Sequence, residues 1–330
     1  MKEFRVVQVG GGTGLFNTLP ALKQLQPWLR EKDLRLRISA IVSVADDGGS
    51  TGRLRDEFGQ LPPGDLRRAL IALSQDTGAA RKLFEYRFDK GSGLSGHSMG
   101  NLLLTALTDI YNDEYIAIRH AGRLLRVQGR VIPVTTEDTR LVATLEDGTV
   151  VRGETNIDIP KHDKTLLIKK LELDPEPTLF SEAETAIKSA DMIVIGPGDL
   201  FTSLLPNILV KKFSQTVKVA REEGAAIVYI SNTMTKAGET NNYSANKFLE
   251  SIEEHIGKGV ISHVLMNTEK PAPELLAKYE EEGADFVTPD IKREDLEVIG
   301  IPLISTKHFA RHDANRLHKA YEELVEKLIK

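Results

Sequence analysis

The stretch "FRVVQVGGGTGL", Phe4 to Leu15, carries the reading of the fold. Phe4 to Val9 is an apolar, β-rich run, and Gly10 to Gly14 is a glycine turn. From Leu15, "LFNTLPALKQLQPWL" places apolar residues at helical spacing. Strand, glycine turn and helix in that order form the opening unit of a parallel α/β sheet. Four further runs have the same character and end in glycine, Asp or Asn or in a turn: 38–49, 191–199, 225–234 and 259–267. A late run, 300–306, is expected as a sixth strand. Unbroken apolar strands imply burial on both faces, as in parallel sheets.

Helical patterns lie between these runs, at 64–74, 100–111, 181–190, 207–223 and 244–256. A last amphipathic helix is expected after "HDAN" at 312–315. The alternation predicts a three-layer α/β/α, Rossmann-like, mostly parallel doubly wound sheet, with residues 1–330 as one domain. One region departs from the pattern. Residues 130–175 are rich in Val, Ile and Thr, and "EDGT" at 146–149 is a good hairpin turn. Two or three antiparallel strands are expected there as an insertion. Its sheet edge either pairs with a second subunit, making a homodimer, or faces solvent.

Composition narrows the function classes. The chain has 330 residues and a formal net charge of −5, with charges of both signs well mixed. No basic face is implied, so nucleic acid is not the expected partner. There are no cysteines, which removes disulfides and thiolate metal sites. No run of about 18 apolar residues occurs and no charged-then-apolar leader opens the chain, so no membrane partner and a soluble cytoplasmic protein are expected.

In doubly wound sheets, ligands sit outside the carboxyl ends of the strands. The loops there are therefore informative together. Gly11, Gly12, Thr13 and Gly14 follow a strand and open a helix, the setting of a phosphate turn with free N–H groups. The spacing is neither the dinucleotide fingerprint, since Leu15 stands where the third glycine belongs, nor a P-loop. In "SVADDGGSTGRLR", Asp46 and Asp47 follow the second strand, with Ser50 and Thr51 behind them. Adjacent acids point different ways in extended backbone, so at most one is expected to face a ligand, as a ribose acceptor or beside Mg²⁺. Arg53 and Arg55 are candidate phosphate forks. In "LPPGDLRRAL", Asp65 reads first as the cap of its own helix, with Arg67 and Arg68 solvated. "GPGDLFTSLLPN" offers Gly196, Gly198, Asp199, Thr202 and Ser203 as a second anion turn, and "SNTMTK" offers Asn232, Thr235 and Lys236.

"GHSMG", Gly96 to Gly100, fits the G-x-S-x-G pattern of a nucleophile elbow. An elbow needs a strand directly before it, and "DKGSGLS" is loop. The better reading is a glycine-rich loop capping a helix from Asn101, with His97, Ser98 and Asn101 presented to an anion. In "HFARHD", His308 and His312 stand four apart, a weak zinc pattern without the intervening Glu of H-E-x-x-H. Arg311 beside them is a candidate phosphate or uracil contact. Tyr279 either stacks on a base or packs in the core.

Six motifs in series, "VGGGTGL", "VSVADDGGSTGRLR", "LPPGDLRRAL", "GHSMGNLLLTAL", "IGPGDLFTSLLPNILV" and "NTMTKAGET", resemble the YvcK-like gluconeogenesis factors of bacteria, in the same order from residue 5 to about 315. The wider superfamily includes the 2-phospho-L-lactate transferase. The resemblance implies a cytoplasmic regulatory protein that binds UDP-sugars, notably UDP-N-acetylglucosamine. It implies a role in cell shape and wall-precursor supply on gluconeogenic carbon. The diphosphate would meet Gly11–Gly14 and the loops at Asn101 and Gly198, with Tyr279 and Arg311 on the nucleotide-sugar. In the transferase branch the acids matching Asp46, Asp47 and Asp65 lie near Mg²⁺ and substrate. That branch is the alternative reading.

Overall fold

The computed structural model describes residues 1–75, 78–305 and 309–329. Among the described residues, ten strands divide into two sheets. Seven are parallel neighbours: β1 (Lys2–Gly10), β2 (Leu34–Val42), β3 (Arg130–Pro133), β7 (Met192–Ile195), β8 (Ala226–Ile230), β9 (His263–Asn267) and β10 (Glu297–Ile301), in the order β10-β9-β8-β7-β1-β2-β3. The other three, β4 (Arg140–Leu145), β5 (Val150–Arg152) and β6 (Ile168–Asp174), form a small antiparallel sheet in the order β5-β4-β6. The strand order reverses on either side of β1, so the crevice of a doubly wound sheet opens between the ends of β1 and β7.

One face of the main sheet is covered by α1 (Gly12–Glu31), α3 (Pro63–Leu73), α5 (Met99–Tyr111), α6 (Glu114–Leu124) and α13 (Ala314–Leu328). The shorter α2 (Gly49–Phe58) and α4 (Ala79–Glu85) sit along their edge. The opposite face carries α8 (Ser181–Lys188), α9 (Leu205–Ile208), α10 (Phe213–Glu222) and α11 (Ala245–Ile256). The small sheet and its helix α7 (Glu154–Asp158) pack on that same side. α12 (Pro273–Glu281) buries none of its residues and lies on the rim. Val6 and Val194 point into one layer and Val7 and Ile195 into the other, which is why these strands read as unbroken apolar runs.

Three sequence expectations are corrected. The expected insertion at 130–175 is not wholly antiparallel: Arg130–Pro133 pairs parallel to Ser39–Val42 and closes the main sheet as β3. The last strand runs 297–301, not 300–306, because Pro302 has no N–H to continue the ladder. The helix expected over 207–223 is split. Lys212 takes a left-handed backbone (φ 74°), and the peptides of Lys211 pair with the 177–179 segment instead.

Candidate functional site

The crevice is shaped by glycine turns packed on one another. Gly12 begins α1 with φ +58°, and its N–H donates to Asp65 Oδ2 at 2.8 Å. Asp65 sits in the first turn of α3, whose N-cap is Pro62. It therefore caps a different helix from its own, correcting the sequence reading. Thr13 and Gly14 follow in the same first turn, where amides have no carbonyl behind them in the helix. Gly14 serves packing. A Cβ there would stand 2.2 Å from the Pro197 carbonyl oxygen, so only glycine lets α1 meet the Gly196–Gly198 turn. That turn is held from below. Gln8 donates to the Gly196 carbonyl, and Asn232 donates to that of Gly198 while accepting from the Tyr229 hydroxyl.

A cavity of about 890 Å³ opens above these turns at the carboxyl end of the sheet. Its walls differ in charge. One end is formed by the start of α2 (Gly48–Thr51), Asn101 on α5, and Arg67, Arg68 and Arg87. Against it lie Asp46, which accepts the Gly48 N–H, and Asp65, 3.0 Å from Arg68, and α7 adds Glu154 and Asp158 to the lining. Burial raises Asp46 to about 6, helped by repulsion from Asp65. Asp65 is raised by its own burial, against the pull of Arg68. Glu154 is pushed up to about 9 by burial and by Asp46, Asp158 and Asp65, so it carries a proton at neutral pH. Lys236 answers part of this charge: its ammonium contacts Asp158 and lies 3.0 Å from both Asp199 and the buried Glu239. Burial alone would lower Lys236, and the three carboxylates more than reverse it. The far end carries Tyr279, Arg311 and His312. The Tyr279 hydroxyl accepts the Ala310 N–H, and the Arg311 guanidinium lies 4.5 Å from the centre of the Phe309 ring.

Known proteins place this arrangement. The model of the 2-phospho-L-lactate transferase CofD family matches residues 6–309. The chain belongs to the CofD family. Within it, the chain is similar to the gluconeogenesis factor of Halalkalibacterium halodurans, 41% identical over 98% of this chain and 97% of that protein. It is also similar to the gluconeogenesis factor of Bacillus subtilis, 40% identical over 97% and 98%. A crystal structure of a UPF0052 family member from Bacillus halodurans superposes with a TM-score of 0.87 at 38% identity, over 97% of this chain and 99% of that one. The expected resemblance to gluconeogenesis factors is therefore borne out.

In this CofD-family chain most of the sequence-predicted residues converge on one cavity. Gly12, Thr13, Gly14, Asp46, Ser50, Thr51 and Asp65 line it from the first half of the chain. Asn101, Gly198, Asp199, Ser203, Asn232, Thr235, Tyr279 and Arg311 complete it. Six others stand behind the wall. Gly11 packs under Asp65, and a Cβ on it would reach that carboxylate at 2.8 Å. Asp47 turns the other way and accepts the N–H groups of Glu154 and Thr155, capping α7. Gly196 shapes the turn below Gly198. Thr202 is buried in the turn that leads into α9. His97 and Ser98 are buried beneath the α2–α5 end. Ser98 is 1% exposed and caps α5 by accepting the Asn101 N–H, so it is no elbow nucleophile.

The arginines are also redistributed. Arg55, expected on phosphate, is buried and bonds Asp138 and the Thr139 carbonyl, tying α2 to the segment before β4. Arg67, expected in solvent, is buried, with its Nε on Asn101 and its Nη1 on the Phe84 carbonyl. Arg53 donates to the Ser95 carbonyl. Of the zinc pattern, His308 lies outside the described residues, and His312 Nε2 is bonded to the Ser231 carbonyl. Among the described residues no group of three or more His, Cys, Asp or Glu is arranged to hold a metal ion. Sequence reading missed Glu154, Thr155 and Asp158. The signal was the glycine-acid pair "RGET" closing the hairpin, which looks like any solvated turn until β4 and β5 are folded over the crevice.

Proposed function

We propose that this protein binds a UDP-sugar, UDP-N-acetylglucosamine in the first instance, as a cytoplasmic regulator serving cell shape and wall-precursor supply on gluconeogenic carbon. The observation that carries the reading is the cavity itself. Helix starts from α1, α2 and α5 and the Gly198 turn converge on one polar crevice of about 890 Å³, the size class of a small-molecule site. Tyr279 and Arg311 at the far end suit the uridine or the sugar, and the hydroxyl-rich Thr235 and Asn232 edge suits either. Asp46 and Asp65 fit a divalent cation shared with the ligand. Mg²⁺ takes one or two carboxylates and completes its shell with phosphate oxygens and water; Arg68 already lies 3.0 Å from Asp65, and Asp46 is raised by burial and by Asp65. Such an ion would neutralise diphosphate and carboxylates together.

Calorimetry tests the reading. UDP-N-acetylglucosamine with Mg²⁺ is expected to bind with one site per chain, and Arg311→Ala to weaken it at least about tenfold, the worth of one charged hydrogen bond. No heat at millimolar ligand with a folded protein would remove the reading. The match to a transferase family favours one alternative, a Mg²⁺-dependent transferase that joins a phosphorylated small acid to an acceptor via a nucleotide-activated donor. It predicts nucleotide release when donor, acceptor and metal are combined.

A further inference from the structure

Below the α2–α5 end of the cavity, two hydrogen bonds have a set direction and a third turns on the state of a histidine. Arg67 can only donate, and its Nε lies 2.8 Å from Asn101 Oδ1. That leaves Nδ2 of Asn101 facing Ser50, and it donates to Ser50 Oγ at 3.2 Å. A serine hydroxyl has a single proton. Its oxygen keeps a second lone pair, so the 3.0 Å contact with His97 Nδ1 takes its direction from the imidazole. In the neutral tautomer protonated on Nε2, the serine proton goes to Nδ1. Ser50 lines the cavity, yet in this state it shows an incoming anion only a lone pair.

One proton added to His97 reverses the last link. Nδ1–H donates to Ser50 Oγ, and the serine proton is released to the cavity side. We propose that free His97 is the Nε2–H tautomer and gates Ser50 as a phosphate donor, so that an anion seated between α2 and α5 takes up one proton from solvent as it binds. The proposal rests on the diphosphate reading above and deepens it by adding proton linkage to that site.

The charged groups facing His97 are Arg53 and Glu57 from α2 and Arg87 from the segment after α4, with Arg67 acting through Asn101. Burial, then Arg53, holds the imidazole below its ordinary value of 6.5, with Arg87 adding to this and Glu57 opposing it. A phosphate anion alongside Ser50 raises it. Proton uptake is therefore confined to the interval between the free and bound values. Across that interval affinity rises as pH falls, by at most about tenfold per pH unit.

Three measurements on the full chain test this. Nitrogen–proton correlation NMR of the free protein should show His97 protonated on Nε2. Titrating the same signal in sulfate, which does not itself titrate near neutrality, should give a higher His97 pKa than chloride at equal ionic strength. Calorimetry of UDP-N-acetylglucosamine near pH 6, in two buffers of different ionisation heat, should show more proton uptake in the wild type than in His97→Asn, since any exchange at Asp46 is common to both. That variant keeps an acceptor in place of Nδ1 but cannot protonate, and its melting temperature checks that it folds. An Nδ1–H tautomer, no response of His97 to sulfate, or unchanged uptake in His97→Asn overturns the gate. If the nucleotide-sugar fails to bind while sulfate still moves His97, the ligand assignment falls and the gate stands. Binding without proton uptake does the reverse.

Discussion

At the scale of single residues, the glycines divide by what stands against them. Gly14 was expected to open backbone to an anion, but it and Gly64 are each required by protein. A Cβ on Gly64 would lie 2.5 Å from Asp46 Oδ2, and one on Gly14 lies inside contact with a peptide. Backbone cannot swing away as a side-chain tip can. Gly14→Ala should therefore cost about 1–3 kcal/mol in urea unfolding, the usual cost of overpacking. Gly49→Ala tests the converse: its added methyl meets open space, so only its φ of +45° is against it and the loss should be smaller, about 1 kcal/mol. The positions of these glycines were legible in sequence, because strand–glycine–helix is a local pattern. Their purpose was not, since Asp65, Pro197 and Asp46 approach from distant segments. The same holds for Asp65, which reads as a cap locally and is one, for another helix.

At the scale of elements, the insertion decides how the crevice is closed. Apolar runs and turn residues made the seven-stranded sheet readable before folding, apart from β3 at its edge. Four residues bounded by charged sequence and ending in Pro133 carry too little pattern to separate a parallel edge from the hairpin that follows. Once β3 is paired, β4 to β6 fold across the opposite face and bring α7 to the cavity. Two devices fasten it there: Asp47 on the first amides of α7, and Lys236 on Asp158 at its last turn. Lys236 also lies 3.0 Å from the buried Glu239, whose carboxyl burial raises to about 8 against the pull of Lys236. Lys236→Met should cost about 3 kcal/mol, because it leaves carboxylates without their partner. Adding Glu239→Gln should recover part of that loss. Chemical denaturation of the single and double variants measures both.

At the scale of the whole molecule, the acid wall sets how stability responds to pH and ligand. Asp46, Glu154 and Glu239 all have folded values above those of ordinary carboxylates, at about 6, 9 and 8. Between an ordinary carboxylate value and these, the folded state holds more protons than the unfolded one. Stability is then highest below the window and falls as pH rises through it. His312 acts on the other flank. Burial lowers it to about 4, so the unfolded chain binds its proton first and stability falls as pH drops from 6.5 toward 4. Melting temperature should therefore decline from about pH 6 toward pH 9. Millimolar Mg²⁺ with UDP-N-acetylglucosamine should flatten the alkaline limb by supplying the missing positive charge. A melting curve that rises steadily to pH 9 would contradict this ordering of charges. The most direct test of the central claim is a crystal structure grown with UDP-N-acetylglucosamine and Mg²⁺. The account predicts the diphosphate bounded by the Gly12–Gly14 turn, Ser50 and Asn101, and Gly198, with Tyr279 and Arg311 on the outer group. Ligand ordered elsewhere on the surface, with this crevice filled only by solvent, would contradict it.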